Sequence, residues 1–320
     1  MIKLQRIIIT RGPIGFLFQK SKHWYLPGFE GVPLYDVLRF FYRQMKTHGL
    51  FERASAISYN FIMAVPPSFL FLFTLIPNLP FVSKKIIQVQ LHQVIYDIIP
   101  AKVYNKEVIR FVDSFIFDSK IGILSFGLLL SLFFASNAMM GLMRAFNKKN
   151  VGFQKRKGLH QRWIAIKLIM ILFGLLLGYL LLLVSQGAIL KLMVKDNAWR
   201  SIISYTRWTM IILLVYYGIG FIFKYAPAVH KRWKLNSPGT LLATFLSIMA
   251  SIVFSMFVKN FGSYNVLYGS IGTIMMVMAL IYINSLALLI GFELNVSIKS
   301  LKTIASQREQ EEKKQAAKNT

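Results

Sequence analysis

The chain has 320 residues, of which 55% are hydrophobic and 16% charged, whereas soluble domains average about 45–50% apolar and about 25% charged residues. This composition argues against a soluble globular enzyme, and 27 Phe and 14 Tyr exclude a disordered or collagen-like chain. The absence of cysteine excludes disulfides, thiolate metal ligands and a cysteine nucleophile. The net charge of +26 fits either nucleic acid or a lipid surface as partner, so the positions of the cations must decide.

The first predicted region is a cytoplasmic segment, residues 1–53, which carries nine cations. Near its end, apolar side chains recur at the spacing of one helix face, at Leu34, Val37, Leu38, Phe41 and Met45. The pattern predicts either an interfacial helix on the lipid headgroups or a helix packed on the end of the protein.

Six transmembrane helices are predicted within residues 54–298, because a helix needs roughly 20 mostly apolar residues to cross about 30 Å of hydrocarbon. Stretches with few or no charged residues place these spans at about 57–79, 121–143, 168–190, 208–226, 239–258 and 271–292. An external loop over 80–120 is predicted to hold two short amphipathic helices, and residues 299–320 a solvated cytoplasmic tail. The predicted fold is therefore an all-α polytopic integral membrane protein with amphipathic flanking helices.

The cations predict the orientation of these spans. With six spans both termini share one side, and that side receives 27 of the 38 Lys and Arg residues. Cytoplasmic loops are enriched in Lys and Arg, so both termini are predicted to be cytoplasmic. Anionic lipid at that face accounts for the net charge, and no nucleic-acid partner is needed.

The titratable residues do not predict a reaction centre. The five histidines lack the spacings of zinc or di-metal sites, and the only cluster of acids lies in the C-terminal tail. The sequence also lacks the G-x-S-x-G, P-loop and G-x-G-x-x-G motifs. It therefore predicts no metal, no cofactor and no enzymatic activity.

The first span contains an uncommon pair of prolines. Pro66 and Pro67 remove two backbone donors, which predicts an interrupted helix whose freed carbonyls face protein or a wet cavity. Asn60 lies on the stripe of small or polar residues that would face inward. Interrupted helices commonly frame transport sites, although a kinked packing helix would show the same pattern.

Three further residues complete a predicted substrate path. Asn137 and Arg144 lie seven residues apart on one face of the second span, which suits an anionic solute; the alternative is that Arg144 anchors the helix at the interface. Asn284 and Glu293 lie in or next to the last span, nine residues apart and so on opposite sides of an ideal helix. Because a charge there is costly unless paired, Glu293 is predicted either to form an ion pair or to act as a gate. Lys167 and Arg53 are the candidate partners.

Several segments resemble the landmarks of the YihY/virulence factor BrkB family of membrane proteins. The first ones are Arg53-Ala-Ser-Ala-Ile-Ser-Tyr59, Ala64-Val-Pro66, Tyr225-Ala-Pro227 and Ser237-Pro-Gly239. The strongest similarity is to the Tyr-x₃-Tyr-Gly-Ser segment and the Gly-x-Glu of the last helix, carried here by Tyr264, Tyr268, Gly269, Gly272 and Gly291. The chain departs from the family pattern at Ile281-Tyr282, near the position of a usual tryptophan, and in its doubled proline.

The resemblance implies a bacterial inner-membrane protein with six helices, from a family formerly labelled ribonuclease BN. It also implies a link to virulence and serum resistance, with export of small metabolites as one role. The leading prediction is a transporter or exporter of a small anionic solute, with a path through Asn60, Pro66, Pro67, Asn137, Arg144, Asn284 and Glu293. The alternative is a non-transporting scaffold or envelope-assembly partner, and the ribonuclease label is a disfavoured third.

Overall fold

The protein is all-α in its described residues. The computed structural model describes residues 24–47, 49–75, 109, 113, 121–147, 158–193, 197–229, 232–260 and 262–318. Its helices are α1 (Leu34–Thr47), α2 (Leu50–Leu75), α3 (Ile121–Phe146), α4 (Gly158–Met193), α5 (Asn197–Tyr225), α6 (Pro238–Asn260) and α7 (Gly262–Lys318). No β-strand occurs in these residues, and the predicted external loop over 80–120 lies outside them apart from Ile109 and Asp113.

Five stretches of these helices are long and apolar enough to cross a membrane. They are Ser125–Phe146, Gly158–Tyr179, Trp208–Tyr225, Pro238–Phe257 and Ile274–Glu312. The predicted polytopic membrane fold is therefore confirmed, but the described residues give five spans, not six. The missing one is the predicted first span, 57–79. Its last four residues lie outside the described part. It falls on α2, which carries Glu52 and Arg53 in its first turn and contains two prolines.

The six long helices form a closed ring. Each one contacts the next along the chain from α2 to α7, and α7 returns to contact α2. The short helix α1 packs on the outside of α7, where buried Val37 meets Leu294 and Ile298. One face of α1 is thus covered by protein, while Leu38 and Tyr42 remain exposed.

The helix α2 continues through both prolines, so the predicted interruption of this helix is wrong. It is helical from Leu50 to Leu75 with Pro66 and Pro67 inside. The hydroxyl of Ser68 donates to the carbonyl of Ala64 at 2.7 Å, a hydrogen bond that does not depend on the prolines. Prolines are tolerated in membrane helices where serine side chains and neighbouring helices support the local backbone.

The start of α6 is encoded locally. Ser237 occupies the position before the helix, and its hydroxyl oxygen accepts from the backbone N–H of Thr240 at 3.3 Å. Pro238 follows at the first helical position, where its missing N–H costs nothing and its fixed φ suits the helix. This start determines where Gly239 meets α7.

Candidate functional site

The first polar feature of the bundle is a buried ion pair between α2 and α7. Arg53 Nη1 pairs with Glu293 Oε1, and the two side chains are 4% and 0% exposed. Arg53 Nε also donates to the carbonyl of Ala145 near the end of α3, at 3.0 Å. The pair thus joins three helices. Of the two partners considered for Glu293, the structure selects Arg53, whereas Lys167 is exposed.

Buried aromatic rings pack together around Phe292, the residue before Glu293 on α7. Phe292 stacks on Phe146 with ring centroids 4.0 Å apart, and it also contacts Trp233 and Phe223. Arg53 Nη2 and Glu293 Oε2 have no hydrogen-bond partner among the described residues. Removing either charge from such a site leaves the other uncompensated, which costs more than the pair contributes.

Next to the ion pair, α6 and α7 cross at two glycines. A Cβ atom added to Gly239 or Gly291 would overlap the carbonyl oxygen of the other, so only glycine permits this approach. Asn295 accepts from the Gly239 N–H at 2.9 Å and donates to the Ser237 hydroxyl at 2.8 Å. The Ser-Pro-Gly and Gly-x-Glu segments noted in the sequence are therefore two halves of one contact.

The other family-motif residues lie earlier on α7. Gly272 is buried. Tyr264, Tyr268 and Gly269 are part of α7, but the structure describes only their backbone.

The Arg53–Glu293 pair, the aromatic rings around Phe292 and the crossing of Gly239 and Gly291 form one region, which we call the packed end.

Two of the predicted path asparagines bond to their own helices. Asn60 donates to the carbonyl of Ala56 at 2.6 Å and packs against Gly141 of α3, where a Cβ atom would lie 2.7 Å from its amide nitrogen. Asn284 donates to the carbonyl of Leu280 at 3.0 Å. Gly141 therefore leaves room for the Asn60 side chain where α2 and α3 meet.

Asn137 bonds to a residue that sequence reasoning did not select. Arg162 of α4 donates from Nη2 to its amide oxygen at 2.9 Å, and the guanidinium lies 5.1 Å from the ring centroid of Phe133. Arg144, the predicted neighbour of Asn137, is exposed. The sequence does indicate that Arg162 faces inward. It precedes Ile169 and Phe173 by seven and eleven residues, so it lies on the same face of α4 as these two apolar residues.

Beyond the packed end, a chamber of 520 Å³ opens between α2, α3 and α4. All the side chains that line it are apolar except Ser68 and Ser131. The Ser131 hydroxyl donates to the carbonyl of Leu128 at 3.0 Å, just as Ser68 donates within α2, so both donors are already used. Volumes of 300–1,000 Å³ are typical of ligand pockets.

None of the seven predicted path residues lines the chamber, but four flank its walls. Asn60 precedes Phe61, Pro66 and Pro67 lie between Val65 and Ser68, and Asn137 precedes Ala138, all of these neighbours being wall residues. Arg144, Asn284 and Glu293 lie elsewhere. Within the described part of the chain, no group of three His, Asp or Glu residues could hold a metal ion.

Comparison with known proteins identifies relatives over most of the chain. The ribonuclease-like protein YfkH of Bacillus subtilis (strain 168) is 25% identical over 257 residues, which cover 79% of this chain and 91% of the relative. A UPF0761 membrane protein of Pseudoalteromonas translucida is 34% identical over 27% of this chain and 30% of its own length. A UPF0761 membrane protein of Tolumonas auensis is 27% identical over 133 residues, which cover 40% of this chain and 44% of the relative.

No solved structure matches the chain. A family model described as "Virulence factor BrkB" matches residues 41–318. The ring of helices, the Arg53–Glu293 pair and the glycine crossing all lie within this range. The chain belongs to the virulence factor BrkB family.

Proposed function

We propose that this protein is a transporter or exporter of a small anionic solute in the bacterial inner membrane, with both termini in the cytoplasm. The observation that carries the proposal is the 520 Å³ chamber between α2, α3 and α4. A space of this volume between three helices is large enough to hold a small ligand. The chamber therefore supports a solute site within the helices.

The positive charge beside the chamber supports an anionic solute. Arg162 bonds to Asn137, which precedes the wall residue Ala138 on α3, so the guanidinium lies near the chamber without lining it. A guanidinium has five donors, and the bond to Asn137 uses one of them. Among the described residues, no carboxylate lies within ion-pair distance of Arg162.

The cytoplasmic location of both termini requires that α2 cross the membrane as a sixth span, and it rests on the distribution of cations. The connection over 147–157 leads from α3 to α4 and carries five cations and no acid. Short loops of this kind are retained on the cytoplasmic side.

A non-transporting scaffold is the second candidate. Its supporting observation is the packed end, where Arg53, Glu293 and Asn295 bond across helices and hold α2, α3, α6 and α7 together. The ribonuclease hypothesis rests only on names, that of the Bacillus relative and the former label of the family.

Because the chain has no cysteine, single cysteines can test the transport path directly. Cysteines at Ser68, Ser131 and Ala135 would report on the chamber, and cysteines at Phe245 and Met249, exposed on α6, would report on the lipid-facing surface. A membrane-impermeant thiol reagent is expected to label the chamber positions from at least one side and to spare the two controls. Protection of all chamber positions from both sides would reject a path for a water-soluble anion.

A further inference from the structure

We infer that the ligand of the chamber is an anionic amphiphile with a single apolar chain, which enters sideways from the lipid and places its anionic group at Arg162. This inference rests on the proposed role of the chamber as the solute site. It names the chemical class of the solute and its route of entry.

The walls of the chamber favour an apolar body. A small hydrophilic anion would lose its hydration there, since the hydroxyls of Ser68 and Ser131 already donate to carbonyls of their own helices. An apolar chain that enters from hydrocarbon exchanges contacts with lipid tails for contacts with the walls and loses no hydration. A space of 520 Å³ falls within the range of pockets that bury drug-sized ligands, which is enough for one apolar chain.

The position of Arg162 supplies the charge complementarity. Ile169, Phe173 and Leu176 of the chamber wall follow it on α4 at seven, eleven and fourteen residues, so the guanidinium and the wall share one face. The bond to Asn137 holds it beside Ala138, at the end of the chamber. A ligand with a charge at one end and an apolar body matches this arrangement.

The exposed side chains at the mouth point to a lateral entrance. Leu128 and Met170 line the chamber and are 44% and 56% exposed. Both lie within helical stretches long enough to cross the membrane, so their exposed surface faces hydrocarbon. A ligand that is already dissolved in the lipid reaches the chamber through this side without crossing water.

The test uses fluorescence quenching in the full-length protein. The variant Met170→Cys, labelled with a small fluorophore, reports on the mouth of the chamber, and Met249→Cys, with the same residue type and similar exposure on α6, is its matched control. Each is reconstituted into phosphatidylcholine vesicles, and 9,10-dibromostearate is added as quencher. We expect saturable quenching at Met170 and quenching at Met249 that only rises in proportion to the amount of probe in the lipid.

A second set of variants tests the role of the charge. Arg162→Gln should raise the half-saturating concentration at Met170 by about tenfold to a hundredfold, as for the loss of a hydrogen bond to a charged group. Arg162→Lys should restore part of the binding, and Arg144→Gln, at the exposed arginine on α3, should leave it unchanged. Circular dichroism of each variant separates loss of binding from loss of fold.

Four results would overturn the inference. Quenching could rise in proportion to the probe at both cysteines, or the half-saturating concentration at Met170 could stay the same in Arg162→Gln. The methyl ester of the probe could saturate the site equally well, or brominated phosphatidylglycerol could saturate it at a lower concentration. The last would assign the chamber to a two-chain lipid. Failure of the proposed transport path is distinguishable, because it appears as full protection from the thiol reagent while the saturable site at Met170 remains.

Discussion

The packed end and the chamber share the helices α2 and α3, yet they differ in packing and in polarity. At the packed end, Gly239 and Gly291 bring two backbones into contact, and buried charges are paired. A few turns further along α2 and α3, small and apolar side chains leave 520 Å³ open. Lipid tails are as apolar as leucine, so the hydrophobic effect does not force membrane helices together. Close packing at one end fixes the positions of the helices, so the gap between α2, α3 and α4 persists.

The largest expected effect comes from the ion pair. Glu293→Gln should destabilise the protein by about 3–5 kcal/mol, because it leaves the Arg53 guanidinium buried without a counter-charge. The double variant Arg53→Met with Glu293→Leu should recover most of this loss, since an apolar pair removes the unpaired charge. Thermal unfolding in detergent measures both. A single variant as stable as the wild type would show that the packed end does not depend on this pair.

The glycine crossing should be the next most sensitive feature. Gly291→Ala places a methyl group against the carbonyl of Gly239 and should cost about 1–3 kcal/mol by separating α6 from α7. Gly178→Ala in α4 is the control, because no atom lies within 4 Å of a Cβ atom there. That control should be neutral or slightly stabilising, since alanine is the better helix former. Equal effects at both positions would contradict the proposed close approach.

A matched pair of alanines compares the two regions directly. Ala165→Leu, at a fully buried position of α4 in the core, should cost about 1–3 kcal/mol through overpacking. Ala135→Leu adds the same atoms to the chamber wall and should change stability by less than about 0.5 kcal/mol. It should also abolish the saturable quenching at Met170. A large loss of stability in Ala135→Leu would mean that the chamber is not available space.

The smallest effect is expected outside the membrane, at Glu30. Partial burial raises the pKa of this carboxyl, but hydrogen bonds and charge from Lys299 and Lys302 outweigh it, so the pKa lies below its usual value of 4.5. A carboxyl with a lowered pKa in the folded state contributes stability above its unfolded pKa and loses it as the pH falls through the folded value. Because these side chains are partly exposed, the contribution should stay below about 1 kcal/mol.

The measurement compares wild type with Glu30→Gln. The wild type should unfold at a slightly higher temperature at pH 7, and the difference should disappear as the pH is lowered below 4.5. A difference that grows in acid would contradict the lowered pKa.

The membrane fold could be predicted from sequence because the bilayer requires about 20 apolar residues for each span. The chamber could not, since Ala64, Ala135 and Ala138 look the same in sequence whether a neighbouring helix covers them or not. The predicted path was made of polar side chains, but Asn60 packs against Gly141 where α2 and α3 meet. The link between Asn137 and Arg162 depends on how α3 and α4 pack, which no local pattern encodes.

The unbroken length of α7 couples distant parts of the molecule mechanically. Its 57 residues correspond to roughly 85 Å at 1.5 Å per residue, and Glu293 lies near the middle. The stretch up to Lys318 extends beyond the ring on the same rod that carries the glycine crossing. A rotation of the C-terminal end of α7 would therefore be transmitted along the helix to Glu293 and its ion pair with Arg53.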